Sequence, residues 1–375
     1  MTTDLRCWAE FHLDALRNNL KLAQERTGKP VMAVIKGDAH GHGAIRCGLA
    51  LQNAGAAAFA VACLQEAIDL RTAGITRPIL ILGWTPASRV ASLVEHDLIQ
   101  STFSEEYAAE LQQAAAADGV IVRIHAKVDT GMSRTGLSAQ TDPVAAAAAV
   151  CRIAAMPNLK LCGIFTHFAA ADMPELDSFT ALQLKNFRAV LAALEQKGLD
   201  GEPLIHAANS AAILWHPDAH FDMVRAGVML YGFYPDGIHR EDGPLDPVLS
   251  LKAHVAQVKE LQTGAKVSYG CLFEAEKPMK IAIVAAGYAD SYPRSLTGKG
   301  AWAMICGHRC PQIGRICMDM CMFDVTGTDV KAGDEVILYG RGGMPMDELA
   351  RLAGTINCEP TCLLTNRVKK IYIDG

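Results

Sequence analysis

The chain has 375 residues, 50% of them hydrophobic, and a formal net charge of −5. That length accommodates two domains with a large core, and the slightly acidic balance offers no basic face to nucleic acid or anionic lipid. Apolar runs such as residues 78–82 are strand-sized and too short to cross a bilayer. Residues 1–14, MTTDLRCWAEFHLD, lack the basic head, apolar middle and small-residue cleavage site of a secretory signal, so a soluble, cytoplasmic protein is expected.

Asp14 is placed to cap a first helix running to Arg26, with Gly28 and Pro30 ending it. Short apolar runs then recur at residues 31–35, 58–63, 78–82, 98–103, 120–128, 159–165, 204–207 and 223–230. Amphipathic or alanine-rich stretches separate them, at 42–54, 64–72, 104–117, 143–155, 177–197 and 211–216. Alternating β and α elements imply a parallel sheet, and eight repeats in about 200 residues suit an α/β fold closed as a (β/α)8 TIM-like barrel. A doubly wound open sheet is the rival, but no G-x-G-x-x-G follows the first run. Turn-rich tracts at 234–237 and 241–244 mark a domain joint. The expected division is a barrel over residues 1–240 and a mainly antiparallel β domain over 241–375, with alternating runs at 251–261, 280–285 and 335–339.

Twelve cysteines include three C-x-x-x-C pairs, Cys306/Cys310, Cys317/Cys321 and Cys358/Cys362. Structural zinc and iron–sulfur sites favour a two-residue spacing in at least one pair. Positions four apart on a strand share a face, so the pairs read as small core hydrophobes and no metal site is expected.

In such a barrel, chemistry sits at the carboxyl ends of the strands. Lys36 closes the first run, in AVIKGDAHGHG (33–43). Lys127 and Asp129 close the fifth, His167 the sixth, Asn209 and Ser210 follow the seventh, and Arg225 stands in the eighth, two residues before Gly227. Each has a plain structural alternative: a solvated lysine, a satisfied core histidine, a glycine shaping a turn. Their placement at one rim is what points to a site.

These residues carry a family resemblance. AVIKGDAHGHG resembles the pyridoxal-phosphate lysine motif of bacterial alanine racemases, usually K-A-N-A-Y-G-H-G. KVDTGMSRTG (127–136), FTHFAAAD (165–172), HAANSAA (206–212), VRAGVMLYG (224–232), VSYG (267–270), GYADSYPR (287–294) and CMDM (317–320) are similar to the same family, in the family's order, ending with LTNRVKKIYID (364–374). The resemblance covers nearly the whole chain. It implies a homodimeric enzyme that interconverts L- and D-alanine, supplying D-alanine for peptidoglycan, although a catabolic role is equally consistent.

It also implies roles. Lys36 holds pyridoxal phosphate as an imine with its aldehyde, chemistry open to a lysine amine. Asn209, Ser210 and the amides of Gly227 and Val228 hold the phosphate, with His40 and Cys358 nearby. Arg225 faces the pyridine nitrogen; a guanidinium can only donate there, so the nitrogen stays unprotonated and the cofactor is a weaker electron sink, which favours prompt reprotonation. Lys36 and Tyr269 exchange the Cα proton on opposite faces, Lys36 for D-alanine and Tyr269 for L-alanine. A phenol must be tuned by neighbours to do this near neutrality, and His167, bonded onward to Arg225, is the implied relay. Arg134, the Met318 backbone, Tyr288 and Asp319 bind the substrate. Tyr269 and Met318 reach the barrel of the other subunit, so the active sites are shared across a two-fold dimer; roles in the β-domain core are the structural alternative. Lys127, if carbamylated, is an anion that orients Arg134; otherwise it is a plain lysine bonded to Asp129.

Two positions depart from the family pattern. His40 and Cys358 stand where tyrosines are usual, which removes two hydroxyls, opens space and leads us to expect acceptance of serine or other larger side chains beside alanine. A barrel-type amino-acid decarboxylase is a rival, but such enzymes place an acidic residue where Arg225 stands. A non-catalytic pyridoxal-phosphate carrier is another, but it lacks the domain that carries Tyr269 and Met318.

Overall fold

The computed structural model describes residues 4–235 and 244–374, so the joint expected at 240/241 lies outside the described residues. The chain forms two compact units. One comprises Arg17–Ala39 and Ala44–Leu230; the other comprises the residues up to Leu16, His40–Gly43 and the residues from Tyr231 onward.

The first unit is the barrel. Its strands are Val31–Val34, Ala58–Val61, Ile79–Ile81, Leu98–Thr102, Val122–Asp129, Leu159–Phe165, Leu204–His206 and Val224–Ala226, one for each expected apolar run. The first seven pair in parallel, each with the next, and the eighth pairs with the first through Val224–Val31, Arg225–Met32 and Ala226–Ala33. A parallel bridge between His206 and Met223 joins the seventh to the eighth. Alternate strand residues fill the interior, among them Met32, Val34, Ala58, Ala60, Leu80 and Ile99. Helices follow the strands as expected. Glu105–Asp118, for instance, starts at Ser104, whose Oγ accepts from the Tyr107 N–H, and stops at Gly119 in the left-handed region. The first helix differs. It begins at Leu13, so Asp14 lies inside its first turn rather than capping it, where a carboxylate still suits the positive end of the helix. Among the described residues, no helix is long and apolar enough to cross a membrane.

The second unit is a sheet in the order Met279–Val284, Cys321–Asp324, His308–Ile313, Trp302–Ile305, Glu335–Gly340, Leu249–Leu261, Cys7–His12 and Lys369–Ile373. Met279–Val284 pairs again with Leu249–Leu261, so six of these strands close on themselves. Register shifts at Leu251/Lys252 and Val255/Gln257 bend the long strand as it serves several partners. Cys7–His12 pairs antiparallel with Leu249–Leu261 but parallel with Lys369–Ile373. It was not among the expected strands; it is buried along almost its whole length, so it shows no polar–apolar alternation.

The cysteines need correction. Cys310 and Cys321 are buried, but Cys306 and Cys362 are exposed and Cys317 and Cys358 half-buried. Cys358 and Cys362 bound a one-turn helix, Glu359–Cys362, rather than sharing a strand face. Among the described residues, no group of three histidine, cysteine or acidic side chains is placed to hold a metal ion.

Candidate active site

Lys36 sits just beyond the first barrel strand, at the mouth of a left-handed turn. Gly37, Asp38 and Ala39 have φ of 63°, 53° and 56°, and His40 has φ of 52°. A left-handed conformation costs an L-residue roughly 1–2 kcal/mol, so three consecutive non-glycine residues store about 3–6 kcal/mol. Local ties offset part of this: the Ala39 N–H donates to Ile35 O at 2.9 Å, and Asp38 Oδ1 accepts from the Ala44 N–H at 2.7 Å. Strain of this kind is retained where the surroundings over-determine it. The turn delivers a half-buried Lys36 at the strand end.

Three further cations surround that position. Lys127, on the fifth strand, donates from Nζ to Thr135 Oγ1 at 2.6 Å. Burial, and then Arg134, Arg225 and Lys36, push its amine down to about 8 against the opposing pull of Asp129. Asp129 does not bond to Lys127. Its Oδ1 accepts from the N–H groups of Gly131 and Ser133 instead, shaping the loop that carries the exposed Arg134.

Arg225 is buried, with its guanidinium fixed by neutral acceptors. Nη1 donates to His206 Nδ1 at 2.9 Å; Nη2 donates to Thr166 O and Ala207 O, each at 2.8 Å, and reaches His167 Nδ1 at 3.2 Å. Burial lowers its pKa to about 9, which still leaves it charged near neutrality. Because a guanidinium only donates, both histidines must present a bare Nδ1 to it. The His206 proton therefore sits on Nε2, which donates to His125 Nδ1 at 3.0 Å, while the Phe165 ring stacks on His206 with an interplanar angle of 5°. The same logic puts the His167 proton on Nε2. Burial, followed by Arg225, Arg134, Lys127 and Lys36, holds His167 well below the usual histidine range, so it is neutral. Near the eighth strand, Ser210 Oγ accepts from the Gly227 N–H at 2.9 Å and the Met229 N–H at 3.4 Å, and Asn209 caps the helix Ser210–Trp215 by accepting from the Ala212 N–H. Val228 lies between those two amides in the turn Val228–Tyr231.

The second unit carries the other expected residues. Tyr269 is 69% exposed and Met318 52% exposed, which excludes the core roles that were their structural alternative. Tyr269 follows Ser268, whose φ is 64° and whose Oγ donates to Arg315 O at 2.7 Å and lies 3.3 Å from Cys317 Sγ. The segments bearing Tyr269 and Met318 are thus neighbours. Met318 is seated by the N–H groups of Tyr288 and Ala289, which donate to Cys317 O and Met318 O at 3.1 Å. Gly287 makes this approach possible, since a Cβ there would fall 2.3 Å from Cys317 O. The Tyr288 side chain is exposed, whereas Asp319 accepts from Arg367 Nη2 at 2.8 Å. His40 is buried with its ring 4.8 Å from that of Tyr231. Gly41 beside it has φ of 87°, and a Cβ there would lie 1.8 Å from Thr361 O. Thr361 Oγ1 in turn donates to Cys358 O, so both departures from the family pattern sit on neighbouring segments.

Residues 11–235 match the alanine racemase N-terminal domain and residues 248–372 the alanine racemase C-terminal domain. The chain belongs to the alanine racemase family. It is similar to the alanine racemases of Methanococcus maripaludis, at 41% identity over 98% of both chains, and of Desulfovibrio desulfuricans, at 42% identity over 99% of both. Its fold is similar to the solved alanine racemase from Streptomyces coelicolor A3(2), with a TM-score of 0.91 at 37% identity, covering 100% of this chain and 99% of that one. The alanine racemase of Clostridium difficile 630 aligns with a TM-score of 0.90 at 34% identity, covering 99% and 96%. Within this family member, Lys36, Lys127, Arg134, His167 and Arg225 converge on one barrel rim. Sequence reasoning gave no role to Thr135, which holds Lys127, or to His206 and His125, which hold Arg225. His206 could have been singled out, since it ends the seventh run as His167 ends the sixth.

Proposed function

We propose that the chain is a cytoplasmic homodimeric alanine racemase with pyridoxal phosphate as resident cofactor and Lys36 and Tyr269 as its proton-transfer groups. The observation that carries this reading is the gathering of Lys36, Lys127, Arg134 and Arg225 about a neutral His167, with Asp129 the one carboxylate among the charges bearing on Lys127 and His167. Such an excess of positive charge calls for an anionic ligand, and a phosphorylated phenol together with an amino-acid carboxylate supplies it. The donor set therefore fits the cofactor. Lys36 would hold it covalently, Ser210 and the amides of Gly227 and Val228 its phosphate, with Asn209 fixing the helix end and His40 and Cys358 beside it. When bound, pyridoxal phosphate supplies a conjugated ring that delocalises the electron pair left at Cα.

The remaining work falls to the protein. Arg225 would stand at the ring nitrogen, and its four neutral acceptors fix its orientation while leaving its charge uncompensated. Lys36 Nζ moves the proton on one face of Cα, and Tyr269 Oη, from the partner subunit, moves it on the other. His167, with its proton on Nε2, has that donor to offer the phenolate form of Tyr269, and Arg225 behind it prevents the tautomer from switching. Arg134 and the Met318 amide grip the carboxylate, with Tyr288 and Asp319 beside them. Incubating pure L-alanine with the holoenzyme should yield D-alanine until the two are equal. Evolution of carbon dioxide instead would favour a decarboxylase.

The lowered Lys127 pKa supports carbamylation, in which the neutral amine adds to CO2, gives a carbamate and releases one proton. At pH 7 a pKa of about 8 rather than 10.5 raises the neutral fraction roughly 300-fold. At fixed dissolved 13CO2, the initial rate of labelled carbamate formation should rise about tenfold per pH unit below 8 and level off above it, as the neutral fraction of the amine does. It should be absent in Lys127→Arg; a signal that persists there would place the modification elsewhere.

A broader substrate range has a specific basis. Cys358 is half-buried on a segment adjoining that of His40, so neither position supplies a phenol ring. The enzyme should racemise serine at a kcat/KM within about 10²-fold of alanine, the discrimination a hydrophobic pocket typically achieves against an added hydroxyl. Cys358→Tyr should widen that gap, and a serine rate several orders of magnitude lower in the unsubstituted enzyme would remove the idea.

A further inference from the structure

Glu66 lies in the first turn of the helix Leu64–Thr72, which follows the second barrel strand. Its Oε2 accepts from the Ala62 N–H at 2.8 Å and its Oε1 from the Gly37 N–H at 2.6 Å. The first bond is a familiar device, a first-turn carboxylate reaching back over the entry of its own helix. The second crosses to a different strand–helix loop and ends on the residue next to Lys36.

We propose that Glu66 is a positioning residue that holds the left-handed turn of residues 37–40 and thereby fixes where the Lys36 amine stands. This rests on the reading of Lys36 given above. Asp38, Ala39 and His40 occupy a backbone region that L-residues leave unless held, and the Gly37 amide is the first N–H of that run. Packing does not restrain the start of the turn, since a Cβ built at Gly37 would meet nothing within 4 Å. The Ala39–Ile35 and Asp38–Ala44 bonds tie the middle and end of the turn, which leaves its beginning to Glu66. A carboxylate is suited to this because its bonds to N–H groups are charge-assisted, and its two oxygens let one side chain join two loops.

Glu66→Ala and Glu66→Gln holoenzymes test the proposal. Alanine removes both acceptors, whereas glutamine keeps one oxygen and must turn its NH2 toward the other N–H. Hydrogen exchange read by mass spectrometry over residues 36–43 should quicken at least tenfold in Glu66→Ala. Return of bound pyridoxal phosphate to the stripped protein, followed by visible absorbance, should slow at least fivefold. The kcat for alanine should fall about tenfold with KM within twofold, because the amine is misplaced while the carboxylate grip is untouched. Glu66→Gln covers the case in which the alanine variant does not fold, and faster exchange at 36–43 in either folded variant supports the proposal. A role confined to helix entry predicts the opposite pattern: faster exchange over 64–72 and a lower melting temperature, with 36–43 and cofactor capture unchanged in every folded variant. That result overturns it. Exchange at 36–43 is read without any turnover, so a wild-type enzyme that fails to racemise alanine would count against the proposed function and not against the clamp.

Discussion

Lys36→Ala is expected to lower kcat/KM for L-alanine by at least about 10⁴. A positioned acid–base group contributes about 10²–10⁴ by itself, and losing the nucleophile that holds the cofactor adds to that. Lys36 is half-buried and contributes nothing to the barrel core, so the variant should fold normally, with a near-wild-type melting temperature and far-UV circular dichroism. The competing amine is Lys127, which is pushed down to about 8 and so has an enlarged neutral, nucleophilic fraction near pH 7. Geometry decides against it: Lys127 is 6% exposed and donates to Thr135 Oγ1 at 2.6 Å, while Lys36 stands at the open end of its strand. Borohydride reduction followed by peptide mapping should therefore fix the cofactor at residue 36. An adduct at Lys127, or an alanine variant that keeps more than about 1% of the activity, would displace Lys36 from the centre of the chemistry.

What could be read from the sequence follows from how periodic each element is. The eight barrel strands were legible because parallel strands buried on both faces are short, largely apolar runs, and each of the eight appeared as one. Arg225 and Lys127 stood out as charges inside or at the end of such runs. Cys7–His12 was hidden because its sequence, CWAEFH, mixes aromatic, acidic and small residues that are nearly all buried; Glu10 is accommodated there by the Trp8 indole N–H and by Lys252, a partner far away in the chain. The cysteine pairs misled for a related reason. A spacing of four has a meaning only once strand or helix is known, and Cys358/Cys362 lie on a helical turn. The left-handed turn after Lys36 could not be foreseen, since Asp38 and Ala39 carry no signal for positive φ comparable to glycine's. Nor could the placement of the His206 proton, which depends on a guanidinium meeting Nδ1 from a neighbouring strand.

Tyr269→Phe removes one oxygen from a side chain that is 69% exposed, so it should leave the fold intact while lowering racemisation about 10²–10⁴-fold. The loss must be equal in both directions, because the two enantiomers are equal in energy and the equilibrium cannot move. Isotope exchange breaks that symmetry. In deuterated water the variant should still exchange the Cα hydrogen of D-alanine, which Lys36 handles alone, but not that of L-alanine. Exchange of both enantiomers would mean that a second group serves the Tyr269 face. The same variant tests whether sites are shared. In a mixed dimer of Lys36→Ala with Tyr269→Phe, isolated through two affinity tags, a tyrosine acting across the interface restores one of the two sites, so about half of wild-type activity should return. Each site would instead keep one defect if Tyr269 served its own barrel, and the mixed dimer would stay inactive. Recovery therefore depends on the connectivity of the two units across protomers, a property that neither single variant reports.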